Sequence, residues 1–338
     1  MGDIAILIIS LGIILLGAEV FVNGVEWLGK IFRLSEGAVG SVLAAVGTAL
    51  PETIIPIIAI LFAGEASTGH AIGIGAILGA PLMLSTLAMF VTGVAVLAFR
   101  RRRSSGTKVI GHYETVSRDL GFFFVVFLVA VLAGLIPPAY RYIQIVIALG
   151  LILSYIVYVR ILLKQERQDD ADDDIKACYF ARKSEEPTRY RVFAQVVTAL
   201  LLIVVGANLF VDSITSIAHH YGVAAFILAL IITPIATELP EKFNSVIWVS
   251  RGKDTLALGN ITGAMVFQSS LIPAIGIFLT DWQLSLGVLG AALLALLSAG
   301  LLFLELRSRK HISVIMLLLC GVFYVLFFIG VIYGYIHY

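Results

Sequence analysis

Three stretches of this chain, 120–136, 143–158 and 282–304, contain no charged residue. Each approaches the ~20 apolar residues that an α-helix needs to cross ~30 Å of hydrocarbon. Water-soluble folds have no place for so many runs of that length. The composition agrees. The chain is 60% hydrophobic and 13% charged, where a soluble domain carries roughly 25% charged residues. Its mean hydropathy is +1.02 over 338 residues. The expected fold class is therefore an all-α polytopic membrane protein. The first apolar segment is preceded by MGD, without Lys or Arg. It lacks the basic start of a signal peptide and is expected to be the first span.

Ten spans are predicted, at about 3–24, 37–63, 70–99, 119–136, 141–160, 192–213, 222–249, 255–279, 284–304 and 312–334. Lys and Arg then orient them. With the N-terminus outside, 21 of the 23 basic residues fall in inside loops; Arg141 and Lys242 are the exceptions. That asymmetry is the positive-inside pattern and places both termini outside. A cell membrane is expected, a prokaryotic inner or plasma membrane given the compact chain. The net charge of +1 implies no nucleic-acid partner. Cys178 lies in a charged loop and Cys320 in an apolar run, so neither a disulfide nor a metal pair is expected. The acidic run DDADDD at 169–174 is expected to be a solvated linker.

The chain also resembles itself. GAEVFVNG at 17–24 matches GANLFVDS at 206–213, and TALPET at 48–53 matches TELPEK at 237–242, both with an offset of 189. A third pair, GAILGA at 75–80 and GNITGA at 259–264, follows in the same order with an offset of 184. Five spans in each half make the second half enter from the opposite side. The repeats are thus inverted, as in many secondary transporters. The halves are expected at 1–163 and 191–338, joined by a cytoplasmic linker at 164–190. Pro51 and Pro56 in the second span, and Pro234 and Pro240 in the seventh, are expected to interrupt those helices. Each proline frees a carbonyl that must find a partner in hydrocarbon.

Glu52 and Glu241 are equivalent positions in the two repeats, each following Leu-Pro. A lone carboxylate at that depth costs several kcal/mol unless paired, protonated or metal-bound. Two facing each other suit a hard cation, which takes carboxylate, hydroxyl and carbonyl oxygens. The same pair suits proton exchange, since neighbouring carboxylates raise one another's affinity for protons. Glu238 has two readings: a fourth-residue partner for Lys242 that holds the helix, or a further ion ligand. Thr48, Thr237 and Gln268 offer additional oxygens. Glu19, Asn23, Asp212, Asn244 and Asn260 are polar groups at membrane depth that more simply bridge helices. No phosphate-binding loop is visible, so ATP drive is not expected. No recurring histidine–carboxylate cluster points to an enzyme, and no resident cofactor is implied.

These residues resemble the sodium/calcium exchangers of the calcium/cation antiporter superfamily. That family's signature is close to G-T-S-L-P-E in spans two and seven and G-N-x-x-G-S-N in spans three and eight. Here the motifs read GTALPE at 47–52, ATELPE at 236–241, GAILGAP at 75–81 and GNITGAM at 259–265. The resemblance implies ten spans in two inverted halves, with Ca²⁺ held by Glu52 and Glu241 in an environment shared with Na⁺ or H⁺. It also implies threonine backbone oxygens lining the site, and alternating access by the first and sixth spans sliding over the rest. Four serine positions depart from the signature, as Ala49, Glu238, Ala80 and Ala264. The acidic or amide position of span eight is Gln268, and its span-three counterpart is Leu84. These departures weigh against exchange of several Na⁺ for one Ca²⁺.

The expected function is antiport of Ca²⁺ against H⁺ or Na⁺, with inorganic cations and the lipid bilayer as partners and no oligomer required. Two alternatives stay open. One is transport of Mg²⁺, Mn²⁺ or K⁺, or Na⁺/H⁺ exchange, on the same fold. The other is a sensor or scaffold that holds an ion without cycling, with Lys242 as a built-in cation.

Overall fold

The structure, a computed structural model, describes residues 2–31, 49–166, 177–181, 187–333 and 335, with the backbone alone at 29, 163–166 and 239–244. Among these residues the helices are α1 (Gly2–Ile31), α2 (Leu50–Phe62), α3 (Ala66–Met83), α4 (Met89–Phe99), α5 (Tyr113–Ala133) and α6 (Arg141–Glu166). They continue as α7 (Arg189–Tyr221), α8 (Ala225–Ser250), α9 (Asp254–Leu279), α10 (Leu286–Arg309) and α11 (Val314–Ile332). Among the described residues, eight helical stretches are long and apolar enough to cross a membrane, and two shorter apolar ones lie at Leu50–Phe62 and Ala225–Glu238. The chain is an all-α, multi-pass membrane protein, consistent with an inner or plasma membrane. Large apolar side chains such as Ile8, Val146, Leu201 and Ile315 stand exposed on the outer helix faces, as lipid contact requires.

A crossing segment must close its own hydrogen-bond ladder, because hydrocarbon offers no water. Residues 66–99 accordingly remain helical past Pro81, through a π-helical turn at Leu84–Ala88. A π turn leaves backbone carbonyls poorly matched to amides. Ser298 of α10 donates to the Ser85 carbonyl at 2.6 Å, and Thr86 donates to the Leu82 carbonyl.

The prolines act differently from the expectation. The α8 backbone runs as helix through both Pro234 and Pro240. One missing amide leaves one carbonyl without its helical donor, and the rest of the ladder survives. Pro51 lies in the first turn of α2 rather than breaking it; its absent N–H is one the helix start leaves unused anyway. Pro56 is inside α2. The segment 32–48 preceding it, with Thr48, lies outside the described residues.

Twofold character is visible in the pairing of α1 with α7. A Cβ on Gly17 would stand 2.8 Å from Ile203 and 3.1 Å from the Ala199 carbonyl. One on Gly206 would stand 2.7 Å from Ile14 and 3.1 Å from the Ser10 carbonyl. Each residue in the first set is the equivalent, 189 positions away, of one in the second. The contact is therefore reciprocal, and the rising index on α1 meets the falling index on α7, so the helices are antiparallel. Gly24 against Val196 continues the same register.

The loops expected inside meet at one end. Lys108 and Val109 pair antiparallel with Ser313 and Ile312, which joins the loop after α4 to the α10–α11 turn. Both Glu305 oxygens are engaged by Ser313, one through its amide and one through its hydroxyl. Arg103 crosses to the α8–α9 turn. Its guanidinium stands 2.7 Å from Asp254 Oδ1, donates to Asp254 Oδ2 at 2.8 Å and to the Val249 carbonyl at 2.6 Å. The Arg103 side chain is fully enclosed. Removing one partner of such a pair strands the other charge, a loss of about 3–5 kcal/mol. Arg103→Ala is therefore expected to lower the melting temperature of the detergent-solubilised protein sharply, while Arg102→Ala, at an exposed neighbour, leaves it unchanged. Equal melting of both variants would remove the clamp from the account.

Candidate ion site

Glu52 occupies the first turn of α2, directly after Pro51, and is 6% exposed. The unsatisfied amides and the positive end of the helix dipole favour a carboxylate at that position. α2 packs against α3, α7, α8 and α9, and α8 and α9 are the helices that carry the second motif. Pro56 also deprives the Glu52 carbonyl of its usual amide four residues on, as Pro240 does for Ala236.

α8 brings three further polar side chains inward. Thr233, Thr237 and Glu238 are 2%, 1% and 2% exposed. Thr237 donates from its hydroxyl to the Thr233 carbonyl at 3.0 Å, a bond within its own helix turn. Glu238 Oε1 accepts from Gln268 Nε2 of α9 at 3.0 Å. The Thr233 hydroxyl and Gln268 Oε1 are buried oxygens with no hydrogen-bond partner among the described residues. Such oxygens cost roughly 1–3 kcal/mol each when left empty. By contrast, Ser269 and Ser270 both spend their hydroxyls on the Val266 carbonyl of their own helix.

The neighbouring packing is close. Pro234 has no amide to give the Leu230 carbonyl, and Gly79 of α3 sits against that oxygen: a Cβ on Gly79 would lie 2.3 Å from it. Gly75 meets the Phe226 carbonyl in the same way, at 2.5 Å. Gly75 and Gly79, four residues apart, thus let α3 pack closely on α8. For Gly259 and Gly263 no neighbour stands within 4 Å among the described residues.

Of the residues singled out from sequence, Glu52, Thr237, Glu238 and Gln268 are each buried, Glu52 on α2, Thr237 and Glu238 on α8, and Gln268 on α9. The Glu238–Gln268 bond joins two of them directly. Thr48 lies outside the described residues. So do the side chains of Glu241, Lys242 and Asn244, although their backbone belongs to α8. Among the described residues no three His, Cys, Asp or Glu side chains converge on one point. Asn23 and Glu19 serve elsewhere: Asn23 accepts from Gln195 at 3.0 Å, and Glu19 accepts from Tyr179 at 2.7 Å, where residues 178–181 rest on α1 and α7. Asp212 is exposed. Thr233 was not among the sequence candidates; its one signal is its place four residues before Thr237, on the same helix face.

Comparison with known proteins converges on one family. The profile of the sodium/calcium exchanger proteins matches residues 3–164 and 191–333. A putative antiporter, CaxA of Alkalimonas amylolytica, is 23% identical over 330 residues, covering 95% of this chain and 97% of that one. The crystal structure of the H⁺/Ca²⁺ exchanger CAX superposes with a TM-score of 0.73 at 17% identity, covering 98% of this chain and 82% of the other. The sodium-calcium exchanger NCX_Mj soaked with Na⁺ and Sr²⁺ gives 0.55 at 18% identity, with 96% of each chain covered. With both halves inside the matching profile, the chain belongs to the sodium/calcium exchanger family and is a secondary active cation antiporter rather than an enzyme.

Proposed function

We propose that this chain exchanges Ca²⁺ for H⁺ across the membrane by alternating access, with ten spans in two inverted halves and both termini on the outer side. The halves are 1–163 and 191–338, and 164–190 is a cytoplasmic linker. The reciprocal Gly17–Ile203 and Gly206–Ile14 contacts support the inverted relation. The meeting of the Arg-rich loops at one end supports a single inside face. The cation site is Glu52 and Glu241 with oxygens from Thr48, Thr237, Glu238 and Gln268. The observation that carries this assignment is the enclosure of Glu52, Glu238 and Gln268 together with two buried oxygens, of Thr233 and Gln268, that have no hydrogen-bond partner among the described residues. Alternating access then falls to the antiparallel α1–α7 pair moving against the other helices.

H⁺ is favoured over Na⁺ by the residues at the site. Hydroxyls that would coordinate Na⁺ are replaced at Ala49, Ala80 and Ala264, and a carboxylate stands at Glu238. Glu238 and Glu241 are three residues apart on one helix, so this motif carries two acidic groups where proton exchange needs proton acceptors. CAX carries the same ion pair in its name. The experiment is uptake of radiolabelled Ca²⁺ into proteoliposomes under an imposed H⁺ or Na⁺ gradient, with Mg²⁺, Mn²⁺ and K⁺ as competitors. Uptake is expected with the H⁺ gradient and not with Na⁺ alone. Uptake driven by Na⁺ alone overturns the counter-ion. Full competition by Mg²⁺ or Mn²⁺ at equal concentration overturns the selectivity. Ca²⁺ binding without uptake under either gradient makes the chain a sensor.

A further inference from the structure

Another buried carboxylate lies away from this site. Asp119 of α5 is 2% exposed, about 9 Å from the start of its helix at Tyr113. Its Oδ1 accepts from the Tyr158 hydroxyl of α6 at 3.0 Å, and its Oδ2 accepts from the Thr262 hydroxyl of α9 at 2.9 Å. Arg118 Nε stands 3.4 Å from Oδ1, with its side chain 22% exposed, and its guanidinium lies over the Tyr158 ring at 5.3 Å. α6 adds Tyr155, which stacks with Tyr158 and meets Phe267 of α9 edge-on. α10 presents Phe303 to the same stretch of α5, at Gly121, while its carboxylate Glu305 is engaged by Ser313 and Arg309.

Two of the partners of this carboxylate are hydroxyls. A hydroxyl both donates and accepts. With Asp119 ionised, Tyr158 and Thr262 each donate to it. With Asp119 protonated, its own O–H donates to either hydroxyl by rotation of hydrogens alone. The network therefore holds both protonation states in one arrangement of heavy atoms. Among the described residues, the cation paired with it is Arg118, which reaches from the half-open rim. Thr262 is six residues before Gln268 on α9, about 9 Å along the axis.

We propose that Asp119, held between Tyr158 and Thr262, is a second proton-binding site, connecting proton uptake at the Arg-rich end of the bundle to the helix that carries Gln268. The proposal adds to the antiport function and does not depend on which cation is exchanged.

The test is pH-difference infrared spectroscopy of the reconstituted full chain, paired with the pH dependence of Ca²⁺ uptake. One component of the protonated-carboxyl band is expected to disappear in Asp119→Asn and to persist in Glu52→Gln. Thr262→Val removes a donor to the ionised form, so the midpoint of that component is expected to move to higher pH by about one unit. Uptake by Asp119→Asn is expected to lose one step of its pH profile. An Asp119→Asn spectrum identical to wild type overturns the proposal, as does an unmoved midpoint in Thr262→Val. Thr262→Val keeps the carboxylate and decides the matter if Asp119→Asn does not fold. Absence of Ca²⁺ uptake by the wild type would count against antiport of Ca²⁺, while the infrared result stands or falls separately.

Discussion

Glu52→Gln is expected to abolish gradient-driven Ca²⁺ uptake, by about 100-fold or more, while leaving the protein folded. The amide has the shape of the carboxylate, so packing in the first turn of α2 is retained. Its charge is gone, and with it the ligand that offsets desolvation of a divalent ion. Even a residue that only hydrogen-bonds a metal's ligand is worth about 10–100-fold when removed, and the loss of a charged oxygen that would touch the cation itself exceeds that. The position adds to the effect: Glu52 is 6% exposed, where water cannot take over the missing oxygen. Glu241→Gln, its repeat equivalent, is expected to match it, and the double variant to be no worse than either single one. The measurement is initial uptake in proteoliposomes, with elution profile and melting temperature as the folding control. Uptake by Glu52→Gln at half the wild-type rate or better moves the ion site away from α2.

Much of the architecture was readable in the sequence because lipid imposes a simple rule. The predicted span 70–99 appears as residues 66–99, and 255–279 as Asp254–Leu279. The offset of 189 was equally informative, since it became the reciprocal packing of Gly17 on Ile203 and Gly206 on Ile14. Proline was misread as a break in the seventh span. The one hydrogen bond lost at each proline of α8 is absorbed by the flanking helix, and Gly79 fills the space beside the bared Leu230 carbonyl. What sequence left hidden were long-range pairings. Arg103 and Asp254 are 151 positions apart, and Asp119 and Thr262 are 143 apart. In the sequence Asp119 marks only the edge of an apolar run. The Glu238–Gln268 bond spans 30 positions and was not foreseen as a pair, although each residue had been marked as a candidate ligand.

That pair gives the last prediction. A hydrogen bond from an amide to a charged carboxylate contributes about 1.5–3 kcal/mol, and its loss in a buried setting leaves both partners exposed to the full desolvation cost. Glu238→Gln and Gln268→Ala are each expected to raise the half-saturating Ca²⁺ concentration about 10-fold or more. In the first, the extra negative charge of the site is lost. In the second, Glu238 loses its amide donor at 3.0 Å, and the carboxylate is no longer held in place for the cation. The two routes end at one interaction. The double variant is therefore expected to lose no more than Glu238→Gln alone, with a coupling of about 1.5–3 kcal/mol between the positions. Purely additive losses would mean that Glu238 and Gln268 act on different ions. A Glu238→Gln variant with wild-type affinity and pH dependence would return Glu238 to the role of a helix staple. Coupling together with a flattened pH profile makes the carboxylate at the family's serine position the feature that sets this chain's counter-ion.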